Sequence, residues 1–264
     1  MSVIVNRSLS GKVALVTGGS RGIGRSTARA LAEAGAAVAV AARTRAAVEE
    51  TAAELAALGG PTLGVVADVT DAGDVERLAG AVRGGLGHVD VLVNGAGGGG
   101  SHRFVGHPDD LWHRMIALNA TSAYYVTKAF LPAMVERRWG RVVNIASTAA
   151  QTGGRYIAAY AAAKHAVLGM TRALALEVAA AGVTVNAVCP GFVDTPMTGD
   201  TIANIVARTG RSEAEARRVL EDASPQRRLM TAEEVAAAVV FLALETSRGI
   251  TGQAITIDGG GSTC

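Results

Sequence analysis

Tyr160 and Lys164 stand four residues apart in Tyr160-Ala161-Ala162-Ala163-Lys164, inside an alanine-rich stretch of helical pattern. On a helix, that spacing puts both side chains on one face. A phenol titrates at about pH 10, too high for efficient acid–base work at neutrality, and a neighbouring ammonium lowers that value by favouring the phenolate. A tyrosine so tuned can hand its proton to a carbonyl oxygen as hydride reaches the carbon, or take it back when an alcohol is oxidised. Ser147, thirteen residues upstream, follows a short apolar run. Its hydroxyl can hold the same oxygen by a hydrogen bond. Each residue alone has a plainer reading: an exposed helix pair for Tyr160 and Lys164, a polar strand end for Ser147. Asn119, in a long helical stretch, reads by itself as a helix-interior polar residue satisfied locally.

A second set of residues points to an anion. Gly18-Gly19-Ser20-Arg21-Gly22-Ile23-Gly24 follows an apolar run at 12–17 and opens a helical pattern. Backbone N–H groups and the helix dipole at such a turn suit a pyrophosphate. The glycines are not spaced as G-x-G-x-x-G, so position after the first strand of an alternating fold carries the reading. Gly18 to Gly22 also fit G-x-S-x-G, a hydrolase nucleophile elbow. That reading lacks an oxyanion loop before Ser20 and a histidine in the final third of the chain. At the end of the second strand, Val40-Ala41-Ala42-Arg43-Thr44 offers no carboxylate where an NAD-selective site places one for the ribose. Arg43, with Arg21, can instead clamp a 2′-phosphate by bidentate, charge-assisted bonds, which selects NADP (NADPH).

The elements that must position these groups follow from hydrophobic rhythm. Short apolar runs without polar alternation at 12–17, 37–41, 63–67, 89–93, 141–146 and 183–188 read as strands buried on both faces. Helical patterns at about 22–35, 44–58, 71–86, 109–138 and 158–181 separate them, the fourth expected to kink near Pro132. The alternation predicts an α/β fold: a doubly wound parallel sheet of Rossmann type with about seven strands, helices on both faces, in one domain over residues 1–264. The highly charged segment 198–224 is expected to be helical, either a lid over the site or a solvated excursion.

Composition limits the alternatives. Apolar residues make up 49% of the 264 and charged residues 18%, enough for a large core and too apolar for disorder. A net charge of +2 without a Lys/Arg run gives no footprint for nucleic acid. The longest small-apolar stretch, 34–42, is far short of a membrane span, and the first ten residues lack a signal-peptide core. Cys189 and Cys264 form no disulfide framework and no metal-ligand spacing, so no metal is expected and the setting read is reducing and cytoplasmic.

Taken together the motifs resemble the short-chain dehydrogenase/reductase family over nearly the whole chain. Thr17-Gly18-x-x-x-Gly22-Ile23-Gly24 matches its cofactor signature, and Asn94-Gly95-Ala96-Gly97 its NNAG motif, with Gly95 in place of the second Asn. Tyr160-x-x-x-Lys164 with Ser147 and Asn119 matches its catalytic set, and Pro190-Gly191-Phe192-Val193-Asp194-Thr195 its nicotinamide loop. The resemblance implies that Lys164 also holds the nicotinamide ribose and that Asn119 anchors a proton-relaying water. It implies cofactor contacts at Gly18, Ser20, Arg21, Gly22, Ile23 and Gly24, at Arg43 and Thr44, and at Asp68 and Val69. Further contacts are implied at Asn94, Ala96 and Gly97, at Tyr160 and Lys164, and at Pro190, Gly191, Val193 and Thr195. Asp68 would meet the adenine; otherwise it is an N-cap for the following helix.

Within the family, Asn144 to Thr148 and Asn186 to Val193 look most like bacterial β-ketoacyl and polyketide ketoreductases. The implied activity is NADPH-dependent reduction of a β-ketoacyl thioester or polyketide-like ketone, reversible as an alcohol dehydrogenase. An NAD-dependent catabolic alcohol or 3-hydroxyacyl dehydrogenase is the alternative, and a non-catalytic NADP-binding sensor a distant third. Arg137, Arg138 and Arg141 could form part of a landing patch for an acyl carrier protein. Ala180-Ala181-Gly182, however, lacks the arginine that fatty-acid reductases place before that glycine. CoA thioesters and free cyclic ketones stay open. His102 and His107, beside the run Gly97 to Gly100, read as surface residues. Family members are commonly homotetramers, and the long 109–138 and 158–181 helices suit helix-to-helix burial.

Overall fold

β1 (Val13–Thr17) and β2 (Ala37–Ala42) are made of small and β-branched residues with no polar alternation, and their central residues are fully buried. Such strands are stable only when both faces are covered. They join β3 (Thr62–Val66), β4 (Val91–Asn94), β5 (Gly140–Ile145), β6 (Val183–Pro190) and β7 (Ala254–Ile257) in one sheet of order β3-β2-β1-β4-β5-β6-β7. Every pairing is parallel. The order reverses between β1 and β4, the place where open α/β sheets leave a ligand crevice at the strands' carboxyl ends. The computed structural model describes residues 8–262. Residues 1–7, most of the N-terminal stretch read above, and residues 263–264, with Cys264, lie outside the described residues.

Alternate strand residues feed opposite layers. Val16, Val38 and Val93 pack with Leu31 of α1 (Gly22–Glu33), Leu55 of α2 (Arg45–Ala56) and Val235 and Val239 of α9 (Ala232–Ala243). Leu15, Ala39 and Leu92 face Leu78 and Val82 of α3 (Ala72–Gly85) and Val126 and Phe130 of α5 (Ser122–Glu136). With α6 (Ala158–Val178) on that second face, helices cover both sides of the sheet, as the sequence predicts. Among the described residues no helix is long and apolar enough to cross a membrane.

One expected element is different. The single helix over 109–138 is instead α4 (Asp109–Ile116), a π-helical turn (Ala117–Thr121) and α5. The interruption falls at Asn119, whereas Pro132 sits within α5. The physical cause is local competition. Asn119 Nδ2 donates to Met115 O at 3.1 Å, the carbonyl that its own backbone N–H takes in a regular α-helix. Single π turns of this kind cluster at functional sites. The charged 198–224 segment is helical as expected, in α7 (Pro196–Thr209) and α8 (Glu213–Glu221). These two share a small apolar cluster of their own, Ile202, Ala216, Leu220 and Leu229.

Candidate active site

The first turn is built around backbone that tolerates no side chain. Gly18 has φ +66°, and a Cβ there would lie 2.7 Å from Gly95 O. A Cβ on Gly24 would lie 2.1 Å from Gly18 O, so α1 can approach β1 this closely only with glycine. Thr17 Oγ1 accepts from the Gly95 and Ala96 N–H groups at 3.2 and 3.3 Å, tying the β1 turn to the β4 turn. Arg21, the N-cap of α1, makes no side-chain cap bond, and the first turn holds no acidic residue. Across the crevice, Gly191 N donates to Ile257 O at 3.0 Å and Val193 bridges to Met230. That brings Thr195 Cγ2 to 3.3 Å from where a Gly22 Cβ would stand. The glycine turn and the loop after β6 therefore face each other across the switch point. The cradle fits a dinucleotide: narrow, glycine-lined and rich in helix-terminal N–H donors.

Arg21, Arg43 and Thr44 are exposed at the rim, Ser20 and Val69 are buried, and Ile23 packs against the core beneath the turn. Asp68 does not cap α3; Asp71 does, accepting from Asp74 N at 2.7 Å. Asp68 Oδ1 accepts instead from Thr70 N and Thr70 Oγ1 at 2.9 and 2.7 Å. Burial works to raise its carboxyl, but the two Thr70 bonds and the Arg43 charge together hold it below its ordinary value. Asp68 and Arg43, just after β3 and β2, are thus electrostatic neighbours. Asn94 is turned elsewhere: Nδ2 donates to Thr127 Oγ1 at 2.9 Å and to Asn144 Oδ1 at 2.8 Å, inside the protein. Its side chain is structural, and the turn it introduces reaches the crevice through Ala96 and Gly97. Asn144 continues the chain to Thr171 Oγ1 at 2.8 Å. The sequence held a signal for this network, a lone Asn in an apolar strand.

Ser147 leaves β5 in an extended conformation and caps the short 3₁₀ turn that follows, accepting from Ala149 N at 3.1 Å. Its hydroxyl is the hydrogen-bonding neighbour of the Tyr160 phenol. Lys164 lies one turn below Tyr160 with its Nζ 5.7 Å from the ring centre, and donates to Ile145 O at 2.8 Å. Burial dominates and pushes the Tyr160 phenol up, and Ser147 draws it back in part. Burial also draws the Lys164 ammonium down to about 8, against a weaker opposing effect of Cys189. At neutrality Tyr160 is therefore a protonated acid above a charged lysine, the state that ketone reduction starts from.

Asn119 is fully committed. Oδ1 accepts from Gly98 N at 3.1 Å and Nδ2 donates to Gly98 O at 2.9 Å. A Cβ on Gly97 would stand 2.9 Å from Asn119 Oδ1 and 3.5 Å from Lys164 Nζ, so the three meet at one point. Its amide is a clamp on the glycine lip, not a free donor toward the cleft. The lip is held twice more: His102 N donates to Tyr156 O at 2.7 Å, and Asn204 Nδ2 of α7 reaches Ser101 Oγ at 3.5 Å.

Arg137, Arg138 and Arg141 stand at the amino-terminal end of β5. Arg141 is the second residue of β5, at the end of the strand opposite Ser147, and is 1% exposed. It pairs with Glu245 at 2.9 Å and stacks on Trp139. Arg137 pairs with Asp90 at 2.9 Å, and Arg138 donates to Ala180 O at 2.8 Å. All three serve the lower rim of the sheet.

Known proteins agree with this geometry. The sequence profile described as short chain dehydrogenase matches residues 12–205. A granaticin polyketide synthase putative ketoacyl reductase of Streptomyces violaceoruber is 39% identical, covering 94% of this chain and 92% of its own length. A D-beta-hydroxybutyrate dehydrogenase of Cupriavidus necator is 37% identical over 96% of this chain and 98% of its own. The crystal structure of a Phe-to-Trp variant of the actinorhodin polyketide ketoreductase with NADPH superposes with a TM-score of 0.92 at 40% identity, covering 96% of this chain and 97% of that one. The chain belongs to the short-chain dehydrogenase/reductase family and is an oxidoreductase acting on CH–OH and C=O groups.

Proposed function

We propose that the protein is an NADPH-dependent ketoreductase of the cytoplasm, acting on a β-ketoacyl thioester or a polyketide-like ketone and reversible as an alcohol dehydrogenase. The observation that carries it is the protonated Tyr160 phenol beside the Ser147 hydroxyl, with the Lys164 ammonium beneath, at the carboxyl edge of β5. A bound nicotinamide supplies the hydride. Ser147 and Tyr160 hold the ketone oxygen. As the carbonyl carbon takes the hydride, the C=O π pair moves to oxygen, which takes the Tyr160 proton. Lys164 offsets the charge left on the phenolate. Support for NADPH comes from Arg43, exposed directly after β2, and from the lack of a carboxylate at 40–44. The engagement of Arg137, Arg138 and Arg141 at the lower rim, with Asp90, Ala180 O and Glu245, favours a CoA thioester or free ketone over a carrier-bound one.

The test is a screen of ketones and alcohols with each cofactor, read by the absorbance of reduced nicotinamide. Turnover confined to NAD with 3-hydroxyacids, or to NADH with 3-ketoacids, would replace this reading with the catabolic one, which the hydroxybutyrate dehydrogenase relative favours.

A pH profile probes Lys164 directly. Its value is depressed to about 8, so the side chain is charged below that pH and neutral above it. Reduction is expected to decline as pH rises through about 8, because the phenolate loses its counter-charge. Lys164→Arg, always charged, should abolish that limb even if slower overall. A wild-type profile flat across that value would remove the lysine charge from the mechanism.

The same reading includes a homotetramer. Tyr124 on α5 and Leu176 on α6 are 47% and 86% exposed, apolar surface suited to helix-to-helix burial between copies. Sedimentation at micromolar concentration is expected to give a tetramer; a monomer would overturn this part.

A further inference from the structure

The chain between β6 and α9 leaves the body and returns to it at one neck. Met230 N donates to Phe192 O at 2.9 Å, Asp194 N donates to Met230 O at 2.8 Å, and Val193 bridges to Met230. Beyond the neck, α7 and α8 pack on each other through Ile202, Ala216 and Leu220, a cluster separate from those on the two faces of the sheet. A pair of helices built this way turns about its neck as a unit unless its flank is held.

One charged contact holds the flank. Arg217 on α8 donates through Nη2 to Asp194 Oδ2 at 2.7 Å and through Nε to Glu221 Oε1 at 2.9 Å. Glu221 grips the guanidinium from its other edge and so fixes its direction. Among the described residues, no other charged side chain of α7 or α8 forms an ion pair outside these two helices. Stability has little need of the pair: its side chains are 42% and 58% exposed, and ion pairs so exposed contribute little to folding.

The neighbours of Asp194 give the contact its place. Val193 is fixed in the neck, and its carbonyl accepts from Thr195 Oγ1 at 3.3 Å and Thr198 Oγ1 at 2.5 Å. Thr195 stands against Gly22 of the glycine turn. Gly22, Asp194 and Thr195 share the wall of one cavity of about 480 Å³. Through a single carboxylate, Arg217 thus reaches the peptide that closes the crevice against the glycine turn.

We infer that Arg217 is a positioning residue: paired with Asp194, it holds α7 and α8 to the 190–195 loop and sets how long a bound dinucleotide stays. This rests on the reductase reading above and adds the control of cofactor release to it.

The experiment follows NADPH dissociation by stopped-flow fluorescence in wild type, Arg217→Met, Asp194→Asn and the double variant. Each single variant is expected to release NADPH about two- to fivefold faster, the size of one exposed charged pair, with Tm unchanged. The double variant should release it no faster than either single one, because the second change meets a pair already broken. At about 1 M salt, where screening acts over roughly 3 Å, the ratio of variant to wild type should fall toward one. The 2′-phosphate contacts are the same in all four proteins and cancel in that ratio. A second readout needs no cofactor: amide hydrogen exchange across 196–229 should quicken in both single variants, while β1 and β4 keep their protection. Release independent of Arg217, single effects that multiply in the double variant, or a ratio that persists at high salt would each overturn the inference. So would unaltered exchange across 196–229. If the wild type bound neither NADPH nor NADH, the reductase reading would fall and the inference with it; normal binding with release indifferent to the pair overturns the inference alone.

Discussion

Tyr160→Phe is expected to bind cofactor as the wild type does and to lose turnover by about two to four orders of magnitude, the usual value of a positioned acid. The change removes one oxygen and leaves the ring, which packs with Leu111, Met115 and Ala159, in place. Fold and crevice should therefore be untouched. What disappears is the proton that the developing alkoxide takes and the phenol next to Ser147. Because burial pushes that phenol up, the wild type carries its acid in the active form at neutrality. The measurement is kcat for reduction beside the cofactor dissociation constant. Near-normal kcat would remove Tyr160 from the mechanism. Equal damage to cofactor affinity would mean that the hydroxyl holds the crevice together instead of acting on the substrate.

Arg43→Ala should weaken NADPH roughly ten- to a hundredfold and leave NADH nearly unchanged. Charge-assisted bonds are worth ~1.5–3 kcal/mol each, and ~1.4 kcal/mol is a factor of ten in affinity. Arg43 is exposed directly after β2, with Asp68 as its electrostatic neighbour. Removing the guanidinium thus strips the 2′-phosphate of a partner while Asp68 remains as a repelling charge. Ala42→Asp should act in the opposite sense, repelling the phosphate and offering the bare ribose an acceptor. Dissociation constants of both cofactors for both variants check the claim. Equal weakening of NADPH and NADH by Arg43→Ala would make Arg43 a structural residue and withdraw the main support for NADPH.

Much of this protein is legible in its sequence because the signals are local. Short apolar runs such as Val13–Thr17 can only be strands covered on both faces, and their alternation with helices implies the parallel sheet. The i,i+4 spacing of Tyr160 and Lys164 puts them on one helix face whatever the rest of the chain does. Gly18, Gly22 and Gly24 fall at the first strand-to-helix turn by their place in the sequence alone. Tertiary structure decided what each group does there. Spacing brings an ammonium near the phenol, but burial, which comes from residues far away in the chain, pushes that phenol up and the ammonium down. Asn119 is tied by the Gly98 peptide, twenty-one positions earlier, and sits in the π-helical turn between α4 and α5. Arg141 looks like surface charge in sequence, yet its partner Glu245 lies 104 residues on and its stack on Trp139 takes it out of water. Residue type and spacing determined which chemistry the chain carries; desolvation and long-range hydrogen bonding, which no local pattern encodes, decided the charge state and the partner of every group that performs it.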